Sequence, residues 1–174
     1  MNEEIQRILA ELLPVVRQVS DDQVTRLALA IQDARRTFVM GEGRTGLIVR
    51  AFAARLAQLA FPAYVIGETT TPEVGAGDLL IAANGSGDFP ITLLVAQQAQ
   101  TVGARVAGLT AVAASSLAQV ADLDVVLPGV VRGQPGSAQP FSALFQQVLW
   151  VYLDAVALRL AAEGNSPAPR RGQE

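Results

Sequence analysis

The apolar residues of this chain follow a helical period first and then a mixed one. Ile5, Ile8, Leu9, Leu12 and Leu13 recur on one side of a helix spanning residues 1–19. Pro14 interrupts that helix, because it lacks an N–H and its ring crowds the preceding turn. The run Ser20-Asp21-Asp22-Gln23 has capping-box spacing and opens a second helix, to about residue 34, with Val24, Leu27, Leu29 and Ile31 apolar. From residue 37 onward, short and almost continuous apolar runs alternate with helical stretches. The runs at 37–40, 63–66, 78–83, 105–110 and 124–127 predict five strands. The stretches at 45–60, 90–102, 115–121 and 137–162 predict helices between and after them.

Strands that are apolar throughout, each followed by a helix, belong to a parallel sheet buried on both faces. The expected fold is α/β: a three-layer αβα sandwich on a five-stranded parallel sheet of order 2-1-3-4-5, flavodoxin-like. One domain is expected over residues 1–163, with N-terminal helices to 35 and the sandwich core from 36. The polar, Pro-containing tail 164–174 is expected to be disordered. No internal repeat is visible.

Composition narrows the chemistry. Hydrophobic residues make up 51% of the chain, ample for a core. No apolar run reaches the ~20 residues that span a bilayer, and the N-terminus is acidic from Glu3, unlike a signal or transit peptide. A cytoplasmic protein with no membrane partner is expected. Cys and His are absent, and all 13 basic residues are Arg. This excludes thiol nucleophiles, Ser–His triads, Cys/His zinc sites, lysine Schiff bases and the P-loop lysine. No metal and no cofactor is expected. A net charge of −3 gives no electrostatic reason to expect nucleic acid.

Two glycine loops are the candidate sites. The first strand runs into Gly41-Glu42-Gly43-Arg44-Thr45-Gly46, a G-x-G-x-x-G spacing, and the second strand ends at Glu68, where a dinucleotide fold has its ribose-binding acid. The same spacing serves a tight turn with no ligand. The second loop, Asn84-Gly85-Ser86-Gly87-Asp88, follows the third strand and opens a helix, so its N–H groups face an anion over the sheet's C-terminal edge. In the order 2-1-3-4-5 both loops border one crevice, which suits a compact sugar phosphate better than a pyrophosphate.

The stretch VMGEGRTGLIVRAFAARLAQLAFPAYVIGETTTPEVGAGDLLIAANGSGD resembles the sugar-isomerase (SIS) domain family, most of all its 6-phospho-3-hexuloisomerase branch. GETTTP at 67–72 and FAARL at 52–56 carry the specific part of the resemblance, with weaker agreement in VGARVAGLTA and FQQVLWVYLDAV. The resemblance implies interconversion of a 3-hexulose 6-phosphate with fructose 6-phosphate, through an enediol. It also implies a homodimer or homotetramer with sites at subunit interfaces, to which Phe145, Trp150, Tyr152 and Leu153 of the last helix are assigned, or else to core. Phosphate-binding residues are then Gly43, Arg44, Thr45, Asn84, Gly85, Ser86 and Asp88, with Thr69 and Thr70 nearby.

The chain departs from the family pattern at its working positions. Thr45 replaces a serine and keeps the hydroxyl. In the second loop's Ser-x-Ser-Gly-x-Thr pattern, Asn84 and Phe89 replace two hydroxyl residues and Ser86 remains. The pattern's glutamate in the last helix is Gln146, its histidine is Gln58, and a second histidine is missing. An amide cannot take a proton, so Glu68 is the first choice of substitute base, with capping or pairing to an arginine as its competing role. Glu42 is either a new base or a turn residue that repels phosphate, and Glu73 is the remaining carboxylate nearby. Asp88 is expected to cap the helix after it. Arg55 and Arg132 have subunit-contact, substrate or surface roles open to them. A non-catalytic sugar-phosphate sensor or scaffold and, on the G-x-G-x-x-G spacing alone, a nucleotide-binding oxidoreductase are the other readings.

Overall fold

A computed structural model of the chain describes residues 2–129, 136–141 and 143–163. Two helices, α1 (Glu3–Val16) and α2 (Asp21–Asp33), precede β1 (Thr37–Gly41), α3 (Gly43–Gln58), β2 (Ala63–Val65), β3 (Leu79–Ala83) and α4 (Pro90–Thr101). The chain continues through β4 (Arg105–Thr110), α5 (Ser116–Val120), β5 (Leu123–Val126) and α6 (Ala143–Ala162). The five strands form one parallel sheet in the order β2-β1-β3-β4-β5. This is the expected three-layer sandwich.

Alternate side chains divide the core. Val39, Ile81, Ala107, Leu109 and Val125 face a cluster built with α2, α3 and α6, whereas Phe38, Met40, Leu80, Ala82 and Val106 face α4 and α5. All five residues of β3 are buried, which is why its sequence reads as an unbroken apolar run. Ser20 caps α2 in the expected capping box: its hydroxyl accepts from the Gln23 N–H, and the Gln23 side chain accepts from the Ser20 N–H. Gln23 also donates to the carbonyl of Val126, and Tyr152 donates to the carbonyl of Gln23 at 2.9 Å. One capping residue thus ties α2 to both the sheet and α6.

Four boundaries differ from expectation. Pro14 lies inside α1 without ending it; as an exposed residue near the C-terminal end it removes a single backbone bond. α3 begins at Gly43 rather than Thr45, leaving Glu42 as the cap residue. β2 ends at Val65, and Glu68 sits in a turn whose N–H returns to the Val65 carbonyl at 3.3 Å. α6 starts at Ala143 rather than residue 137, because Pro140 disfavours helical backbone at Gln139 and Phe141 has a φ of 58°. Glu11 of α1 holds that loop, accepting from the Ala138 N–H at 2.9 Å and the Gln139 amide at 2.8 Å. Residues 130–135, with Arg132, and the tail 164–174 lie outside the described residues.

α6 has the length and apolarity of a membrane-crossing helix, contrary to the expectation that no segment does, but half of that window is buried inside the protein. Its Phe145, Tyr152 and Leu153 are core residues, whereas Trp150, at 44% exposure, faces outward. Arg55 pairs with Asp154 of the same helix at 2.5 Å.

A buried ion cluster fastens the start of the sheet. The Asp78 carboxylate, with no exposed side-chain surface, accepts from both Arg35 (3.1 and 3.2 Å) and Arg36 (3.1 and 2.7 Å), and from the Gly75 N–H at 2.9 Å. Burial raises its pKa, but the hydrogen bonds from Arg36, Arg35 and Gly75 outweigh this and hold it below the usual carboxylate value. Asp78→Ala leaves no buried unpaired charge, because Arg35 (59% exposed) and Arg36 reach solvent; it is expected to lower stability by about 1.5–3 kcal/mol, the worth of a hydrogen bond to a charged group, in urea unfolding at neutral pH. Because folding depresses this pKa, the contribution is complete above the unfolded carboxylate value of about 3.9 and is lost as pH falls through the lower folded value. The gap between wild type and Asp78→Ala is therefore expected to narrow on acidification through that range.

Candidate active site

The site forms where two strand ends lie side by side. β1 and β3 are neighbours, with Gly41 opposite Ala83, so the loops leaving them share one edge of the sheet. At the first loop, a Cβ on Gly46 would fall 2.4 Å from the carbonyl oxygen of Gly41. Only glycine lets α3 begin this close to β1. Gly43 has a φ of +55°, which a side chain would strain. The first-turn N–H groups of α3 therefore point outward at the sheet edge, unpaired within the helix and at its positive end.

The second loop is held from within. Asn84 Oδ1 accepts from the Ser86 hydroxyl at 2.8 Å and from the Gly87 N–H at 2.9 Å. Gly87 has a φ of +73°, and a Cβ there would lie 2.2 Å from the Ser115 hydroxyl. A third element arrives from α6: Phe145, 1% exposed, packs so close to Gly85 that a Cβ on that glycine would meet its ring at 3.1 Å. This contact sets the first turn of α6, and with it Gln146, against the loop.

These elements enclose an open cavity of about 420 Å³. The first loop contributes Glu42, Gly43, Arg44 and Thr45; the second contributes Asn84, Gly85, Ser86 and Phe89. Phe141, Phe145 and Gln146 form the remaining wall. The Thr45 side chain is nearly buried, at 7% exposure, and its hydroxyl makes no hydrogen bond among the described residues. The Asn84 amide nitrogen is likewise unengaged there, as is the Gln146 amide. The Ser86 hydroxyl is spent on Asn84. The Arg44 guanidinium donates to the carbonyl of Phe141, so it lies across the cavity rim, between α3 and the loop before α6. Phe89 is 41% exposed and forms a wall of the cavity rather than turning away.

The structure thus brings Gly43, Arg44, Thr45, Asn84, Gly85, Ser86 and Gln146 together, with Glu42 and Phe89 in the same wall, and does not bring Glu68, Thr69, Thr70, Glu73, Gln58 or Asp88 to this cavity. Glu68 is ion-paired with Arg50 of α3, the pairing role weighed against that of base. Thr69 and Thr70 are exposed and absent from the cavity wall. Glu73 and Gln58 are exposed too; the Glu73 carbonyl accepts from Arg36 at 2.9 Å. Asp88 does not cap α4, whose cap residue Phe89 makes no side-chain bond. It accepts instead from the Ser116 N–H at the start of α5, at 2.9 Å. That N–H, with a further bond from the Ser116 side chain, lowers the Asp88 pKa against a slight rise from burial.

Sequence reasoning assigned Phe145 to an interface or the core and did not place Phe141 at all. The contiguity of Phe145 with Gln146 could have pointed to the former. Phe141 carries no signal of its own, since it is delivered by the loop before α6 rather than by either glycine loop. Among the described residues no cluster of acidic side chains could hold a metal ion.

Known proteins share this architecture and much of this sequence. The family model "SIS domain" matches residues 30–153. The chain is 35% identical to a Bacillus subtilis (strain 168) protein named 3-hexulose-6-phosphate isomerase, over 91% of this chain and 88% of that one. It is 40% identical to a Mycobacterium gastri protein of the same name, over 84% of this chain and 75% of that one. A solved Methanococcus jannaschii structure, from which a molecular function of 3-hexulose-6-phosphate isomerase was inferred, superposes with a TM-score of 0.81 at 28% identity, covering 94% of this chain and 92% of that one. With the glycine-built cavity on the sheet edge and a match over most of its length, this chain belongs to the SIS domain family.

Proposed function

We propose that the protein binds a hexose 6-phosphate in this cavity and interconverts its 3-keto and 2-keto forms, as the names of its relatives describe for them. The observation that carries the reading is the cavity's anion-facing wall. The N-terminus of a 16-residue helix, the free Thr45 hydroxyl and the free Asn84 amide converge on one small volume, with Arg44 at the rim. Outward N–H groups and a helix dipole favour a phosphate there. Gly43, Thr45, Asn84 and Gly85 hold the phosphate in this reading, and Arg44 neutralises it on leaving the Phe141 carbonyl. Gln146 is placed to donate to a sugar oxygen. Asp88, Thr69 and Thr70, engaged or exposed elsewhere, take no part in it.

A cytoplasmic homodimer or homotetramer completes the proposal. Trp150, Val151 and Leu158 of α6 and Ile5, Leu9 and Leu13 of α1 leave apolar surface exposed, which a second copy would cover. A second reading, a sugar-phosphate sensor without turnover, draws on one specific feature: an amide, Gln146, lies at the cavity position where the family pattern has a carboxylate.

A coupled assay that detects fructose 6-phosphate formed from the 3-hexulose separates the two. Turnover together with a fructose 6-phosphate thermal shift is expected; a thermal shift with no turnover supports the sensor, and neither effect rules out both. Phe89→Thr is expected to tighten fructose 6-phosphate binding. It returns a hydroxyl to the cavity wall, and one charge-assisted hydrogen bond is worth about 1.5–3 kcal/mol, or roughly ten- to a hundredfold in affinity. The same change supplies α4 with a capping side chain, so the melting temperature is also expected to rise. Calorimetric titration of the variant checks the first effect, and weaker binding would refute the lost-hydroxyl account.

A further inference from the structure

Moving a carbonyl between adjacent sugar carbons needs a group that takes a proton from carbon and returns it to the neighbour. Granting the function proposed above, the nearest source of that group is the cavity's own wall. The chain has no His, Lys or Cys, and guanidinium, amide and hydroxyl side chains do not accept a carbon-bound proton near neutral pH. Of the described residues lining the cavity, Glu42 alone carries a carboxylate. Its surroundings leave it available. It occupies the cap position of α3 without making a side-chain capping bond; its carbonyl accepts from the Gly46 N–H, but its carboxylate has no hydrogen bond or ion pair among the described residues. The other carboxylates expected near the crevice do not reach it: Glu68 pairs with Arg50, Asp88 accepts from the start of α5, and the exposed Glu73 does not line the cavity.

We propose that Glu42 is the catalytic base of this protein, doing from the first glycine loop the work for which Gln146 on α6 is unfit. The Glu42 carboxylate removes the proton on C2 of the 3-hexulose 6-phosphate, and the C–H electron pair becomes the C2=C3 bond of a 2,3-enediol. The C3 carbonyl oxygen takes a proton from solvent water as this bond forms. The C2 hydroxyl then returns one to solvent as the C2 carbonyl forms, and Glu42 returns its proton to C3. C2 is oxidised and C3 reduced within one molecule, so no external oxidant is required. Gln146, from α6, donates its amide N–H to the oxygen on which negative charge develops, a role open to an amide though that of base is not.

Fructose 6-phosphate in D2O tests the step in reverse, since the base must exchange the C3 proton for deuterium whether or not product accumulates. Proton NMR of wild type is expected to show loss of the C3–H signal. In Glu42→Gln, exchange and coupled turnover are both expected to fall by roughly 10²–10⁴, the usual worth of a general base, while the thermal shift with fructose 6-phosphate persists. Retention of kcat in Glu42→Gln, with KM alone improved, would overturn the proposal and make Glu42 a residue that merely repels phosphate. Retention of exchange in Glu42→Gln with its loss in Glu68→Gln would overturn it in favour of Glu68. A wild type that binds the sugar phosphate but exchanges no deuterium also overturns it, leaving the binding site standing. A wild type that neither binds nor exchanges removes the proposed function itself.

Discussion

A side chain on Gly46 would put its first carbon 2.4 Å from the Gly41 carbonyl oxygen, and one on Gly85 would press on the Phe145 ring at 3.1 Å. The cavity depends on these two close approaches. The first seats the start of α3 directly on the end of β1, so that the outward N–H groups of a long helix are delivered to the sheet edge. The second lets a core phenyl ring of α6 lie on the neighbouring loop, and so carries Gln146 into the same space. Neither contact involves a charge or a ligand. The glycine spacing that resembles a nucleotide fingerprint is accounted for here by backbone packing, and anion affinity follows from where that packing leaves the helix end.

This distinction explains what could be read in the sequence. The strand order, the layers and the loop positions follow from burial on both faces of β1, β3 and β4, which writes itself as unbroken apolar runs. The start of α6 did not follow, because it is decided by Pro140 together with a tertiary bond from Glu11, 127 residues away from Ala138. The cavity wall was legible wherever a residue's backbone forms the loop, as with Gly43, Thr45, Asn84 and Ser86. It was not legible where a side chain's partner decides its direction. Glu68 sits in the stretch most similar to the family, yet Arg50 draws it away; Asp88 precedes α4, yet it bonds to α5. Such choices between partners of similar strength are set by three-dimensional distance, which the chain's order does not encode locally.

The second loop has a different internal economy from a loop of three hydroxyls. Asn84 has one acceptor oxygen and one donor nitrogen, and the oxygen is used twice, by the Ser86 hydroxyl and the Gly87 N–H. The loop is therefore rigid before any ligand arrives, and the amide nitrogen is left to face the cavity. An arriving phosphate meets a preorganised donor but loses Ser86 unless that hydroxyl abandons Asn84. Preorganisation lowers the ordering cost of binding, and it offsets part of what the lost hydroxyls contribute.

Arg44 adds a further condition. Its guanidinium already donates to the Phe141 carbonyl, on a loop residue that is 68% exposed and held at a positive φ. Under the proposed function, a phosphate that recruits Arg44 replaces that hydrogen bond and so releases the side-chain link between α3 and the loop leading into α6. Both bonds have a charged donor, but a phosphate adds Coulomb attraction that a neutral carbonyl lacks, so the exchange favours the ligand. The loop before α6 and the occupancy of the cavity are thereby linked through one side chain. Phe89, Phe141 and Phe145 form the apolar part of the same wall. With fewer hydroxyls in the wall, more of any grip on a phosphate there falls to Arg44 and to the N-terminus of α3.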